Sequence, residues 1–155
     1  MDFERAFSLV GMLAGLGWLL LILLPWWRWT TTLITSVVIP GLLAFVYLVL
    51  FCLYFASDPN GFAAFNSLAG VKSLFQNDGL LLAGWIHYLC FDLFIGSWEV
   101  RDSQRLGISH LIVVPCLLFT FMLGPVGLLG YLVMRGIFAR RCTIDESLRL
   151  APAAG

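Results

Sequence analysis

The sequence predicts an all-α fold: a polytopic membrane protein with four transmembrane helices and an interfacial helix between the second and third. Three observations predict it. Of 155 residues, 61% are hydrophobic and only 12% charged, and a mean hydropathy of +0.95 is too high for a chain that must cover itself with polar surface. The apolar residues gather into runs of bilayer length. Turn-forming and polar residues collect between those runs. At this length the chain forms one compact unit, residues 1–155. Its net charge of +0 supplies no basic field for nucleic acid.

Ala6 to Leu24 is the first span, about nineteen mostly apolar residues against a hydrocarbon core of about 30 Å. Asp2 and Glu4 precede it, which argues against a secretory or transit signal. Gly11 and Gly15 stand four apart, a spacing that permits close helix approach. Pro25 ends the helix, and Trp26, Trp27, Arg28 and Trp29 form a girdle suited to headgroup level. Leu33 to Phe55 is the second span, with Pro40-Gly41 as a kink.

Asp58-Pro59-Asn60-Gly61 is a turn. From Phe62 to Phe75 apolar residues follow helical spacing, interrupted by Asn66, Ser67, Lys72 and Ser73. That stretch is too polar to span and reads as a helix lying in the interface, or equally as an amphipathic connector. Gly79 to Trp98 is the third span. Gly107 to about Phe138 holds the fourth, kinked or tilted at Pro115 and Gly124-Pro125. Four spans place both termini on one side. Arg5, Lys72, Arg135, Arg140, Arg141 and Arg149 then face Arg28, Arg101 and Arg105, a bias that puts both termini in the cytoplasm. The tail beyond Arg141 reads as disordered.

The charged residues concentrate between Asp92 and Arg105, where greasy packing gives no reason for them. An ionisable group inside a span is read as functional by default. If spans three and four form an antiparallel hairpin turning near Ser103, His110 lies near the depth of Gly96. Asp92 and Glu99 are seven apart, hence on nearly one helical face. Asp92, Glu99 and His110 are therefore expected to converge, with Arg101, Asp102 and Arg105 rimming them on the water side. His87 lies about 13 Å deeper than His110 and about 140° around the helix from Asp92, opposite the Thr120 region. A bis-histidine haem would need both imidazoles at one depth.

Three readings of this cluster stay open. Asp92 and Glu99 could pair with Arg101 or Arg105 and lock the hairpin, as buried charges require partners. They could join histidine in binding iron or zinc. Or they could do acid–base work, since an apolar bundle holds one carboxyl as an acid while a neighbour near arginine stays ionised. Cys52, Cys90 and Cys116 sit in apolar runs without metal-type or disulfide-type spacing and read as small hydrophobes.

The stretch GWIHYLCFDLFIGSWEVRDSQRLGISH from Gly84 to His110, followed by PCLLFTFMLGPVGLLGYLVMR from Pro115 to Arg135, resembles the abscisic-acid-deficient-type family of small four-span membrane proteins. Trp-x-His-Tyr, Phe-Asp-Leu, Trp-Glu and Gly-Pro-x-Gly-Leu-Leu carry the likeness; the first two spans share it by length and hydropathy. The plant member is associated with making neoxanthin from violaxanthin. The resemblance implies a carotenoid-biosynthesis protein, similar to neoxanthin synthase, and points to His87, Asp92, Glu99, Arg105 and His110 as the positions to test.

Opening a 5,6-epoxide into an allene with a tertiary hydroxyl is an isomerisation. It needs a proton donor and a base but no cofactor and no metal. Asp92 or Glu99 would donate, His110 or the other carboxylate would accept, and Arg105 would hold the second carboxylate ionised. Trp85, Tyr88, Phe91, Phe94, Trp98 and Thr120 would line a surface for the polyene. The competing expectation is a non-catalytic membrane protein that binds or assembles a carotenoid or other lipid. Membrane lipids and further copies of the chain are the expected partners. The absence of a plastid-type leader is expected of a bacterial inner-membrane protein or of a mature form, and leaves the substrate open between another carotenoid, another isoprenoid and none.

Overall fold

The computed structural model describes residues 2–56 and 61–139, all in helices and their connections. Asp2 caps α1 (Phe3–Leu23), its carboxylate accepting from the Arg5 amide at 3.1 Å, and Pro25 follows its end. Val10, Ala14, Gly17, Trp18 and Leu21 are its buried residues, the three-and-four spacing of a single helical stripe. Gly11 and Gly15 meet nothing within 4 Å, whereas a β-carbon on Gly17 would stand 2.8 Å from the Leu93 side chain. The close approach therefore uses Gly17, not the Gly11-Gly15 pair.

Thr30–Val38 is a widened π-helical segment that runs directly into α2 (Ile39–Phe55). Its hydroxyls explain the widening. Thr35 donates to the Thr30 carbonyl at 2.7 Å and Ser36 donates to that of Thr31, each reaching back five residues. The second crossing thus begins three residues before Leu33.

Residues 62–75 do not make one helix. Gly61–Asn66 is a tight 3-10 turn, Ser67 breaks the chain and caps α3 (Leu68–Leu74) by accepting from Gly70 N at 3.0 Å, and the two pieces fold together. Of the turn expected at Asp58 to Gly61, the first three residues lie outside the described residues, as do Arg140 onward.

Asn77 caps α4 (Asp78–Arg105), accepting from Gly79 N at 2.9 Å and Leu80 N at 3.2 Å. This helix runs seven residues past the expected end at Trp98. Residues 99–105 are its last two turns and not a loop. The reversal comes at Leu106–Ser109, with Gly107 at φ +68°.

Helix α4 is the centre of the molecule. Helix α1 runs parallel to it, Phe7 on Trp85, Trp18 on Gly96 and the Pro25 carbonyl on Gln104. Helix α2 runs antiparallel, Thr35 at Ser97, Pro40 at Cys90 and Tyr54 at Gly79. These three crossings, Phe3–Leu23, Thr30–Phe55 and Asp78–Arg105, are long and apolar enough to span a membrane, and the chain is an integral membrane protein.

The expected fourth span is instead two helices, α5 (His110–Leu123) and α6 (Pro125–Ala139), of 14 and 15 residues. Each extends about 21 to 22 Å at 1.5 Å per residue, short of a core of about 30 Å. They do not continue one another. A β-carbon on Gly127 of α6 would lie 2.0 Å from the Thr120 amide nitrogen of α5, so α6 is folded back along α5. Gly124 makes the turn at φ +46°, a conformation that glycine adopts without a Cβ penalty, and Pro125 starts the return.

The direction of α6 is set by what it touches on α4. The tip glycine, Gly124, faces Asp92, Tyr131 packs edge-on against Trp98, and Arg135 reaches Asp102. Helix α6 therefore climbs parallel to α4 and ends where α4 ends. Helices α5 and α6 form a re-entrant hairpin whose tip stands beside the middle of α4. Phe3 and Ala139 consequently lie at opposite ends of the bundle, in place of the same-side termini expected from four spans.

Candidate active site

Asp92 and Glu99 share the face of α4 that meets the hairpin, as their seven-residue spacing requires. Glu99 is 0% exposed. The Thr120 hydroxyl of α5 lies 3.0 Å from Glu99 Oε1 and 3.2 Å from Oε2, so one hydroxyl serves both oxygens. Asp92 stands against the tip: a β-carbon on Gly124 would be 2.9 Å from Oδ1 and 3.1 Å from Oδ2. Its Oδ2 is buried without a hydrogen-bond partner. Tyr88, one turn below Asp92, lies beside it and donates to the Phe121 carbonyl at 3.0 Å.

Neither Asp92 nor Glu99 forms an ion pair with a described residue. The arginines expected to neutralise them are committed elsewhere. Arg105 pairs with Asp102. Arg101 donates to the Thr31 carbonyl at 2.7 Å and to the Ser36 hydroxyl, which ties α4 to the widened segment. Asp102 is not a water-side rim group either. It is 3% exposed, accepts from Tyr131 Oη at 2.7 Å and is bridged by Arg135 at 2.6 Å.

His110 belongs to a different contact. Its Nε2 donates to the Ile22 carbonyl at 3.0 Å, its ring meets Trp26 edge-on, and its Nδ1 is buried without a partner. Because α4 runs on to Arg105 before the chain reverses, His110 meets Ile22, one turn beyond the Trp18 that packs on Gly96, and its ring turns toward the end of α1 and away from the carboxyls. His87 sits on another face, against Tyr47 and Phe91. Among the described residues no three metal-ligating side chains gather, and the two imidazoles do not flank a common point.

The aromatic residues expected to line one polyene surface are spread over three. Trp85 stacks on Phe7 and Tyr88, Phe91 and Phe94 are exposed, and Trp98 packs on Tyr131. Thr120 holds Glu99 and does not lie opposite His87. Sequence reading missed a groove of about 530 Å³ between α1 and α5, lined by Met12, Leu16, Trp18, Leu19, Leu118 and Phe121 among others. It opens along the apolar flank of the bundle and borders Phe121, whose carbonyl holds Tyr88. Also missed were Arg135 and Tyr131. An arginine inside YLVMRGIF was the available signal, because a cation in an apolar run requires a buried acid.

The arrangement is thus two carboxyls without a described cation, at half depth, beside a break in the backbone. Irregular backbone at that depth is tolerated where protein buries it or where it lines a cavity. Seven residues apart on one face, the two carboxyls are placed as two separate groups that can act at two ends of one reacting unit.

A family model described as ABA DEFICIENT 4-like matches residues 5–131 of the chain. No curated protein and no solved structure matches it.

Proposed function

The chain belongs to the ABA DEFICIENT 4-like family, and from that premise we propose that it is a carotenoid- or isoprenoid-modifying membrane isomerase whose acid–base pair is Asp92 and Glu99. The observation that carries this reading is the placement of two carboxyls, without a described cation, on the face of α4 that meets the re-entrant hairpin, Asp92 at its tip and Glu99 at Thr120. An ion-paired lock would have consumed them, yet that role falls to Asp102 with Arg105 and Arg135.

The chemistry balances without an electron donor or acceptor. One carboxyl enters as the acid and gives its proton to the oxygen of a 5,6-epoxide as the ring carbon–oxygen bond breaks. The other, as carboxylate, takes a hydrogen as a proton from the adjacent polyene carbon, and the electron pair left behind completes the allene. The epoxide oxygen becomes a tertiary hydroxyl. The two carboxyls have then exchanged protonation states, and return of the proton from one to the other, relayed by water, restores the start. Thr120 positions Glu99, and Tyr88 stands beside Asp92. General acid and base groups so placed contribute about 10²- to 10⁴-fold each.

The polyene would lie in the α1–α5 groove, which admits a rod-shaped apolar molecule from the bilayer and ends near Phe121. The segment Gly61–Leu74, with Phe62 and Leu68 exposed, would rest in the membrane surface. Incubating the detergent-purified protein with a 5,6-epoxycarotenoid and separating the products by chromatography tests the proposal. The expected product is an allenic isomer of unchanged mass. Unchanged substrate that co-purifies with the protein would mark a carrier and not an enzyme.

A further inference from the structure

A second cleft lies away from the carboxyl pair. It has a volume of about 280 Å³ and is formed where α2 and α4 meet the Gly61–Phe75 connection, with Tyr47, Phe51, Phe65, Val71, Phe75 and His87 among its lining residues. Its lining runs from Phe55, Leu74 and Leu80, near the end of the bundle where α2 finishes and α4 begins, to Tyr47 and His87 further along. His87, the tenth residue of α4, stands about 14 Å along the helix from its first residue at 1.5 Å per residue.

The walls are aromatic and apolar, with one polar exception. His87 is exposed and makes ring contacts with Tyr47, 5.8 Å between centroids, and Phe91, 4.6 Å. It makes no hydrogen bond to a described residue. An imidazole presents one donor and one acceptor nitrogen when neutral, and leaving such a group unbonded in hydrocarbon is costly. The complement to this wall is a molecule with a hydrocarbon body and a single group that can both give and accept a hydrogen bond.

We infer that this cleft is a binding site for an apolar alcohol, whose hydroxyl bonds to His87 while its hydrocarbon body lies among the aromatic rings. A hydroxyl suits either imidazole nitrogen, since it donates to one and accepts from the other. The site is independent of the Asp92–Glu99 chemistry: His87 faces α2 and the connection, and the carboxyls face the hairpin. It also reassigns His87 from a catalytic to a ligand-binding role.

The test uses the full chain in phospholipid nanodiscs. The protein has 2 histidines, so imidazole ¹⁵N signals are assigned with the single variant His110→Gln. Farnesol, an acyclic isoprenoid alcohol, is expected to shift the His87 signals saturably at one equivalent, and farnesane, its saturated hydrocarbon counterpart, is expected to leave them in place. Native mass spectrometry then counts bound farnesol in two variants. His87→Phe keeps the ring contacts and removes the hydrogen bond; it should weaken retention about fivefold, the effect of one net hydrogen bond. Val71→Trp adds bulk to the lining and should abolish retention. Equal effects of alcohol and hydrocarbon on the His87 signals, a shift that rises without saturating, or full retention by His87→Phe would overturn the inference. None of these results depends on conversion of an epoxide, so the site and the isomerase proposal stand or fall separately.

Discussion

Gly124 and Asp92 face each other at the tip of the re-entrant hairpin, with room for a hydrogen on the glycine and none for a methyl: a β-carbon would sit 2.9 Å from Asp92 Oδ1. The same glycine holds φ at +46°. One residue thus sets both the direction of the chain and the position of a carboxyl.

Gly124→Ala is therefore expected to act twice. Backbone strain of about 1–3 kcal/mol should lower thermal stability, and displacement of Asp92 should remove activity even in the fraction that folds. A melting curve in detergent alongside product chromatography separates the two effects. Gly127→Ala should be worse for folding, because its β-carbon would strike the Thr120 backbone at 2.0 Å and part α5 from α6.

The Asp102 cluster fastens the hairpin to α4. Asp102 and Arg135 are 1% and 2% exposed in their side chains, and removing one partner of such a pair costs about 3–5 kcal/mol. Asp102→Asn and Arg135→Met should each lower the melting temperature sharply. The double variant Asp102→Leu with Arg135→Met should lose less than Asp102→Asn alone, since both remove the carboxylate from Arg105 but only the single change leaves the Arg135 charge buried without it. Tyr131→Phe should cost about 1 kcal/mol.

Thr120 supplies the hydrogen bond to Glu99. Thr120→Ser keeps the hydroxyl and is expected to retain most activity. Thr120→Val keeps the shape but leaves a fully buried carboxyl unsatisfied, a loss of about 1–3 kcal/mol, and activity should fall with it. Equal activity in the two variants would show that the bond is not used.

How much of this was legible in the sequence depends on which kind of information each feature needs. The shared face of Asp92 and Glu99 followed from spacing alone, because helical periodicity is a local property. So did the first three crossings and the antiparallel turn after α4. The azimuth of His110 was not legible. Depth is only as good as the turn it is counted from, and α4 runs on past Ser103 to Arg105; the neighbour a ring finds depends further on how far helices rotate about their axes, and here α1 offered the Ile22 carbonyl. The re-entrant hairpin was not legible from hydropathy either. A run from Gly107 to Phe138 with Gly124-Pro125 inside has the same mean whether it kinks or reverses. Arg135 held the missing clue: read as a loop charge it supported four spans, and read as a buried cation it demands Asp102 and hence a return.

Topology follows as a measurable consequence. With the native cysteines replaced, Glu4→Cys and Phe138→Cys should react with a membrane-impermeant maleimide from opposite faces of sealed vesicles. Labelling from one face would restore four spans and remove the hairpin.

The most direct measurement compares Asp92→Asn and Glu99→Gln with the unaltered protein in the epoxycarotenoid assay, each first shown by melting and by substrate retention to be folded and loaded. Both substitutions keep shape and delete a titrating group. The account predicts formation of the allenic isomer by the unaltered chain and a drop of at least about 100-fold in each variant. Conversion that persists undiminished in both folded variants would contradict it.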